Sequence, residues 1–539
     1  MSKTSPLTLE EFPIPSYADW KAEAEATLKG APFEKKLVTK TFEGLDIQPI
    51  YRKEDLEKVS HLGSLPGQAP YVRGTKTTNK WEIFECAASG ALVEPLARVL
   101  CGMQEKPLDE AFDELAKVEG VDAIAVNTQL YHNAGGNAVQ ELAFGLATGV
   151  EYLRQAEKRG VSVNATARKM TFIFAMGSDF FMGIAKLRAA RLLWAKVVAA
   201  CGGDAEAQKL RIHARTSLWN QSKLDPYVNM LRDTTEAFSA VAGGADVLWV
   251  RPFDHVVRTP DDFSKRIARN TQTILAEECH FDHVVDPGGG SYYVETLTEQ
   301  LANAAWAIFQ QIEKAGGMVK ALEAGIPQQQ VKAVAAKKAE AVAQRRLSLI
   351  GVNVYANATE KPLAPSTVEP CKCSGHHEEG KGNHPSLAQI ETLQPVRGAE
   401  PFENLRALVS ASDKKKVFLA NMGPLRQFKA RADFSTGFFQ PGGYEVLENL
   451  GFKTVEEAAA AAKASGAQVA VVCSTDDTYP EIVPALVPQL KAAGFFVVLA
   501  GYPTEQIEAF KAAGVDEFIH LRANCFQVLS GIATKLGIS

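Results

Sequence analysis

Short apolar runs alternate with longer stretches of helical periodicity along the first two thirds of the chain. The β-prone runs are residues 170–176 (MTFIFAM), 212–217 (IHARTS), 245–251 (ADVLWVR) and 283–286 (HVVD). Such alternation predicts a parallel sheet, and its persistence over roughly 250 residues, the size of one barrel, favours a closed (β/α)8 TIM barrel over an open sheet. We therefore predict an α/β fold with a barrel at residues 41–356.

The segment 179–199 shows how the intervening helices are built. Apolar Phe180, Ile184 and Leu187 recur at helical intervals, and Lys186 and Arg188 stand between them. This pattern predicts an amphipathic helix that packs on the outside of the barrel. A crossover of this kind is what parallel strands require between them.

Residues 402–539 repeat the alternation on a smaller scale. Strands are predicted near Val417 and at 469–473, 496–499 and 517–520, with an amphipathic helix at 455–464. Four or five parallel strands in a segment of this size fit a doubly wound, flavodoxin-like sheet. The segment contains neither a Gly-x-Gly-x-x-Gly nor a Gly-x-x-x-x-Gly-Lys-Ser/Thr loop, so neither a dinucleotide nor a nucleoside triphosphate is indicated.

Residues 357–401 differ in composition from both flanking segments. They are rich in Pro, Gly, His, Lys and Glu, which predicts a polar linker. Within it, Cys371, Cys373, His376 and His377 supply the thiolate and imidazole groups of a tetrahedral zinc site. Their spacing matches no standard zinc module, and the compositional bias favours a flexible connection with adventitious metal affinity over a structural site.

Composition and charge narrow the functional classes. The 539 residues are 46% hydrophobic and 22% charged, and their formal net charge is −5 with the basic residues dispersed, which argues against nucleic-acid binding. The chain has no uninterrupted apolar window of about eighteen residues, and residues 1–16 lack a basic and an apolar region, so neither a membrane span nor a signal peptide is predicted. We expect a cytoplasmic protein with reduced cysteines.

Polar side chains mark the end of the predicted strand at 212–217. His213 and Thr216 belong to the group 213–220 (HARTSLWN), whose polar side chains alternate toward the mouth of the barrel, where barrel enzymes place their chemistry. A neutral His213 can donate a hydrogen bond to a substrate carbonyl there, or it is a satisfied structural histidine. The turn at 286–293 (DPGGGSYY) either admits a ligand close to its glycine backbone or is simply a tight strand-to-helix connection.

Several of these segments resemble the methylmalonyl-CoA mutase family of adenosylcobalamin-dependent isomerases, over almost the full length of the chain. The matching segments are residues 131–135, 185–196, 225–229, 266–272, 286–295 and 351–353. The resemblance implies a barrel through which coenzyme A threads, capped by a cobalamin domain, and a radical rearrangement between methylmalonyl-CoA and succinyl-CoA. His213 and Thr216 match the family's His-x-x-Thr-Ser-x-Trp pattern, whose histidine contacts the substrate thioester carbonyl.

The departures from the family's pattern concern cobalamin first. Active members carry Asp-x-His-x-x-Gly in the first loop of the cobalamin domain, where the histidine coordinates cobalt and the aspartate orients that histidine. The aligned residues here are Leu425, Gln427 and Ala430, in the predicted loop 421–430. A glutamine amide is a poor substitute for imidazole, and Leu425 cannot orient it. The resemblance therefore implies a degenerate cobalamin loop without a cobalt ligand.

The substrate loop departs from the family's pattern as well. Tyr71 and Arg73 stand in the segment 70–74 (PYVRG), which resembles the start of that loop, but its tyrosine- and arginine-rich continuation is replaced by residues 75–80 (TKTTNK). A radical would be unshielded from solvent without that continuation. Tyr71, Arg73 and Thr216 are thus predicted to be vestigial substrate-binding residues, and His213 a vestigial catalytic residue.

Together these departures imply a non-catalytic small subunit that supports a large catalytic subunit in a heterodimeric mutase. Adenosylcobalamin and the acyl-CoA substrate are expected on the partner and not on this chain. Residues 1–40 resemble the family's extension that wraps the other subunit; the alternative is a first helix packed on its own barrel. Two other functions stay open: an autonomous cobalamin-dependent mutase that lacks the lower histidine ligand, and an acyl-CoA-binding or metallochaperone-type module.

Overall fold

A computed structural model describes residues 15–85, 92–120, 122–366 and 382–538. The strands of its N-terminal part are β1 (Thr39–Lys40), β2 (Asp46–Ile47), β3 (Glu82–Ile83), β4 (Ile124–Asn127), β5 (Met170–Met176), β6 (Arg211–Thr216) and β7 (Val247–Trp249). The helices of the same part are α1 (Tyr17–Thr27), α2 (Phe33–Lys36), α3 (Pro95–Leu100), α4 (Leu108–Lys117), α5 (Gln129–Asn133), α6 (Ala138–Lys158), α7 (Val163–Ala167), α8 (Phe180–Ala200), α9 (Val228–Ala242), α10 (Asp262–Glu277), α11 (Tyr292–Lys314), α12 (Met318–Glu323) and α13 (Ile326–Ala343).

The described residues of the N-terminal part form one five-stranded parallel sheet and a small antiparallel pair, β1 with β2. The strand order of the parallel sheet is β3-β7-β6-β5-β4. β6 lies between β5 and β7, so that Arg215 is the neighbour of Trp249. Beside β4, Val93 forms a parallel bridge with Ile124. The predicted α/β class with a parallel sheet is confirmed, and closure into an eight-stranded barrel stays a prediction.

β5 and α8 lie at the centre of the first hydrophobic core. Every residue of β5 is buried, as expected of a strand that is covered on both faces. α8 begins after Asp179, whose side chain accepts the backbone N–H of Met182 at 3.2 Å. Lys186 and Arg188 are buried rather than solvated, because α6, α9 and α11 all pack against α8. The predicted outer helix is therefore enclosed by its neighbours.

The predicted strand at residues 283–286 is wrong. The structure has a turn there, in which Asp286 has a φ of +50° and Val284 is exposed. The carboxylate of Asp286 forms ion pairs with Arg73 and Arg188. These pairings fix the carboxylate of the turn, and the local β propensity of the neighbouring valines does not reveal them.

The C-terminal part contains a second parallel sheet. Its strands are β8 (Lys416–Asn421), β9 (Glu445–Leu447), β10 (Val469–Cys473), β11 (Phe496–Ala500) and β12 (Glu517–Ile519). Its helices are α14 (Glu400–Ser410), α15 (Leu425–Phe439), α16 (Val455–Ala464), α17 (Tyr479–Ala492), α18 (Ile507–Ala513) and α19 (Cys525–Lys535). The strand order is β9-β8-β10-β11-β12, which is the 2-1-3-4-5 order of a doubly wound sheet. Alternate residues of β8 and β10 enter two separate hydrophobic cores, because helices cover both faces.

The segments outside the two sheets differ in how they pack. Leu387, Ile390 and Leu393 belong to the first hydrophobic core, so the second half of the predicted linker is not a loose connection. At the other end of the chain, α1 has no buried residue, and the ring of Trp20 contacts the ring of Phe33 with centroids 6.0 Å apart. Within the described ranges, no helix is long and apolar enough to cross a membrane.

Candidate functional site

The N-terminal sheet has an inner face on the side away from its main hydrophobic core. Ile212 and Ala214 of β6 enter that core, so His213 and Arg215 project from the opposite side of the sheet. The same alternation on β7 buries Leu248 in the core and leaves Trp249 on the other side. We call this other side, with His213, Arg215, Trp249 and Arg251, the inner face.

His213 is a buried, neutral histidine on the inner face. Its residue is 5% exposed, and its ring lies 4.9 Å from the ring of Phe84 between centroids. Burial lowers its pKa well below the usual value, and the charges of Arg215 and Arg211 act in the same direction. Its Nε2 has no hydrogen-bond partner among the described residues. The side chain can therefore still hydrogen-bond a ligand, which leaves both predictions for it open.

Trp249 and Arg251 are two residues of the inner face that the sequence analysis did not single out. The guanidinium carbon of Arg251 lies 4.6 Å from the ring centroid of Trp249, and that of Arg215 lies 5.7 Å from it. Sequence reasoning treated 245–251 only as an apolar strand. The available signal was an arginine two residues after a tryptophan at the end of the run, since residues so spaced share one face of a strand.

Thr216 lies on the opposite side of β6 from His213. It is fully buried, and its Oγ1 accepts the backbone N–H of Arg251 at 2.9 Å. Its hydroxyl also hydrogen-bonds the carboxyl group of Asp233. The structure therefore does not bring Thr216 together with His213 at one ligand position, and gives its side chain a role in joining strand ends.

A second polar cluster lies where β6 ends and α9 packs. Nε2 of His132 is 2.6 Å from Oγ of Ser217, and Glu236 accepts the backbone N–H of Ser217 at 2.7 Å. Burial raises the pKa of Asp233 to about 7, although the hydrogen bond from Thr216 acts in the opposite direction. Burial and the charge of the neighbouring Asp233 together raise the pKa of Glu236 well above its usual value. These carboxyl groups are held by protein donors.

Tyr71 and Arg73 lie away from the inner face. The Tyr71 hydroxyl donates to the backbone oxygen of Ala205, at 2.8 Å, in the connection that leads into the amino end of β6. Arg73 is 2.9 Å from carboxylate oxygens of both Asp286 and Glu295. Each predicted substrate-binding group is thus engaged by protein, and the structure does not bring either one together with His213.

Arg73 belongs to a buried network of ion pairs that joins α8, α11 and the loops beside them. Arg188 pairs with both Asp286 and Glu295, and His61 Nε2 lies 2.8 Å from Glu295. Burial opposes ionisation of Glu295, but the hydrogen bond from His61 and the charge of Arg188 outweigh it and hold the pKa at about 2. Since each of these charged groups has a partner, we interpret the network as one that stabilises the fold.

The carboxyl edge of the C-terminal sheet is where a doubly wound fold places its ligand, at the switch point between β8 and β10. The predicted loop 421–430 is shorter than expected: Asn421 ends β8, and α15 begins at Leu425. Leu425 is exposed, and Gln427 and Ala430 lie within the first turns of α15. Pro424 precedes the helix in extended backbone, and a proline is tolerated at a helix start because its missing N–H has no intrahelical partner there.

Protein groups join the two loops across this switch point. Met422 donates its backbone N–H to Cys473 at 2.9 Å, and Ser474 Oγ donates to the backbone oxygen of Met422 at 3.1 Å. Beyond them, Arg431 and Asp476 form an ion pair of 2.8 Å. These residues do not fit a corrin with a lower imidazole ligand, because an amide stands at Gln427 and the crevice is crossed by the chain's own contacts.

The predicted metal ligands of the linker, Cys371, Cys373, His376 and His377, lie outside the described residues. Across the described ranges, no group of three or more His, Cys, Asp or Glu side chains is placed to hold a metal ion.

Comparison with known proteins identifies the family. The profile of the family described as methylmalonyl-CoA mutase matches residues 113–386. The methylmalonyl-CoA mutase small subunit of Porphyromonas gingivalis is 35% identical to this chain, with 100% of each chain covered. The chain belongs to the methylmalonyl-CoA mutase small-subunit family. The methylmalonyl-CoA mutase small subunit of Streptomyces virginiae is 38% identical to this chain, and the match covers 84% of this chain and 68% of that relative. The small subunit of Propionibacterium freudenreichii subsp. shermanii is 31% identical, and the match covers 91% of this chain and 90% of that relative.

The family profile covers some of the candidate residues and not others. His213 and Thr216 lie within the segment that the family profile matches, and Tyr71, Arg73 and the C-terminal sheet lie outside it. The alignment with the Porphyromonas protein runs over 628 positions against 539 residues here, so parts of that relative have no counterpart in this chain.

Proposed function

We propose that this chain is the non-catalytic small subunit of a heterodimeric, adenosylcobalamin-dependent methylmalonyl-CoA mutase. The holoenzyme interconverts methylmalonyl-CoA and succinyl-CoA in the cytoplasm, and the large subunit binds both the cobalamin and the acyl-CoA. The (β/α)8-type N-terminal part and the flavodoxin-like C-terminal part of this chain are retained as a scaffold. The contribution of the scaffold is to stabilise the folded partner by binding to it.

The carboxyl edge of the C-terminal sheet carries this proposal. Gln427 stands where the family's pattern has a cobalt-coordinating histidine, and α15 has already begun at Leu425. Cys473 and Ser474 bond to Met422 across the switch point. A lower ligand for cobalt needs a nitrogen lone pair such as that of imidazole, which the glutamine amide does not offer.

Two further observations support a partner. The relatives are named small subunits, which implies a larger subunit in each of those enzymes. α1 keeps no residue buried in the isolated chain, although Tyr17 and Trp20 stack with ring centroids 5.5 Å apart. An aromatic helix without a core of its own is suited to a contact with another subunit.

The test is to titrate the purified chain with adenosylcobalamin, alone and with the large subunit of the same organism, and to follow the corrin absorbance and succinyl-CoA formation. We expect no absorbance change and no turnover from the chain alone, and turnover when the large subunit is present. A His213→Ala variant should support the same holoenzyme turnover as the wild-type chain, because the site that reacts is on the partner.

Each other outcome identifies an alternative. Corrin binding with turnover by the chain alone would identify an autonomous mutase and overturn the proposal. A large subunit with full activity and unchanged thermal stability in the absence of this chain would contradict the supporting role. Saturable coenzyme A binding by the isolated chain, without any effect on the large subunit, would instead favour an acyl-CoA-binding module.

A further inference from the structure

Arg251 is a buried cation whose hydrogen-bonding capacity is unused. The residue is 1% exposed, and its Nε, Nη1 and Nη2 have no hydrogen-bond partner among the described residues. A buried polar group without a partner is costly, and a guanidinium more so because it carries charge. Nearly all buried polar groups in proteins are satisfied, so three unpartnered donor nitrogens on one side chain require an acceptor from outside the described protein.

The nearest acidic groups are already engaged by other donors. Both oxygens of Asp233 accept from Nε2 of Gln221, at 3.1 and 2.9 Å, and Glu236 accepts from Nδ2 of Asn220 at 2.5 Å. Burial also raises the pKa of both carboxyl groups, which reduces the negative charge that they present to Arg251. The electrostatic compensation of Arg251 within the described protein is therefore incomplete.

Two neighbours of Arg251 shape its surroundings: Arg215 adds positive potential, and Trp249 provides a flat aromatic surface. The guanidinium carbons of Arg251 and Arg215 lie 4.6 and 5.7 Å from the ring centroid of Trp249. Stacking on an aromatic face fixes the plane of a guanidinium and leaves its in-plane N–H groups available for an acceptor. Burial raises the pKa of the carboxyl group of Glu94, which lies near Arg215, so this group also contributes less negative charge.

A further unpartnered group lies on the same face. Nε2 of His213 is buried without a hydrogen-bond partner in the described part of the chain, and its strand places it two residues before Arg215. Asn127, the last residue of β4, has an unpartnered buried Oδ1, which can accept from a ligand hydroxyl or an ordered water. Polar capacity is thus unused at several positions of the inner face.

We propose that the inner face of the N-terminal sheet binds a small carboxylate through the guanidinium group of Arg251, beside Trp249 and Arg215. A planar carboxylate matches the two parallel N–H groups of a guanidinium and forms the stronger, charge-assisted kind of hydrogen bond. The ligand is small, of the size of acetate or propionate, because Arg251 and Trp249 are 1% and 9% exposed. This site is separate from the cobalamin edge and does not depend on the proposed function.

The test is thermal unfolding of the purified full chain in sodium acetate and in sodium propionate, against sodium chloride at equal ionic strength, with inorganic phosphate as a further arm. A ligand that binds the folded state raises the melting temperature by mass action, and we expect a shift of about 2 to 4 °C at saturating carboxylate over chloride. Trp249→Phe should keep the thermal shift and remove the change in tryptophan fluorescence that accompanies binding.

Substitution at Arg251 decides the assignment. Arg251→Gln should lose the carboxylate-dependent shift, and Arg251→Lys should bind at least tenfold more weakly, because lysine keeps the charge but not the fork. Arg168→Gln is the matched control: Arg168 is half exposed, pairs with Asp204, and should leave the shift unchanged. An equal shift in chloride, a shift confined to phosphate, a shift that persists in Arg251→Gln, or a carboxylate affinity of Arg251→Lys equal to that of the wild type would each overturn the proposal.

Discussion

Thr216 Oγ1 accepts the backbone N–H of Arg251 at 2.9 Å, and both residues are buried. The bond joins the last residue of β6 to the chain just beyond β7. It lies on the core side of the sheet, while the guanidinium group of Arg251 lies on the inner face against Trp249. The hydroxyl of one strand thus positions the cation of the next.

Thr216→Val should destabilise the chain by about 1 to 3 kcal/mol, because it leaves the buried N–H of Arg251 without an acceptor while conserving the side-chain shape. Chemical denaturation, followed by far-UV circular dichroism, measures the free energy of unfolding. Thr216→Ser keeps the hydroxyl and is the control, with an expected loss below about 1 kcal/mol. A Thr216→Val variant as stable as the wild type, with a loss confined to Thr216→Ser, would show that the methyl group matters and the hydrogen bond does not.

Arg188→Gln should cost about 3 to 5 kcal/mol of folding free energy. Arg188 is fully buried and pairs with both Asp286 and Glu295, so its loss leaves two buried carboxylates short of a partner. The comparison is Arg269→Gln, which removes an exposed ion pair of 3.0 Å with Glu85 and should change stability by less than about 1 kcal/mol. Similar denaturation midpoints for the two variants would contradict the structural role of the network.

Glu295 should give the chain an acid-sensitive stability. Its pKa is held at about 2 in the folded state, against an ordinary value of 4.5, by the hydrogen bond from His61 and the charge of Arg188 in spite of burial. The group therefore contributes stability fully above about pH 4.5 and loses that contribution as the pH falls toward 2.

The pH dependence of urea unfolding between pH 3 and 7 checks this prediction. Glu295→Gln cannot titrate, so it should be less stable than wild type at pH 7 and the difference should shrink as the pH falls below about 4.5. A difference that stays constant over that range would assign the loss to packing and not to ionisation.

The local sequence pattern was enough to predict those helices and strands whose bounds are set by residues within or next to them. β10 and α16 occur with the predicted bounds, since an apolar run of five residues gives the strand and a capping box between Thr454 and Glu457 starts the helix. The strand predicted at 283–286 is wrong because Asp286 forms ion pairs with Arg73 and Arg188, which lie far away in sequence. Pairings of that kind override β propensity and leave no local signal.

The candidate site divides in the same way. Gln427 was found from the sequence because the motif that it departs from is contiguous. The lack of hydrogen-bond partners at Arg251 could not be predicted from the sequence. It depends on the hydrogen bonds by which Gln221 and Asn220 hold the carboxyl groups of α9. Which donors go unsatisfied is a property of the packed fold and cannot be counted along the chain.

Restoring the ligand motif alone should not restore cobalamin binding. In the triple variant L425D/Q427H/A430G the imidazole and its carboxylate are present, but they stand on the first turns of α15, a helix that β8 leads into after three residues. The ion pair between Arg431 and Asp476 remains, as do the bonds of Met422 to the end of β10. We therefore expect no change in corrin absorbance when adenosylcobalamin is added to the triple variant.

Far-UV circular dichroism and thermal unfolding establish that the triple variant is folded, and an aspartate at the first position of α15 favours that helix start. The sensitive measurement is the visible spectrum of the corrin, because replacement of its lower ligand by a histidine changes the absorbance. A spectral change that saturates with the triple variant, and that Q427A does not give, would mean that the missing imidazole is the whole barrier. The unchanged spectrum that we expect places the barrier in the backbone, where the early start of α15 and the bonds across the switch point occupy the crevice.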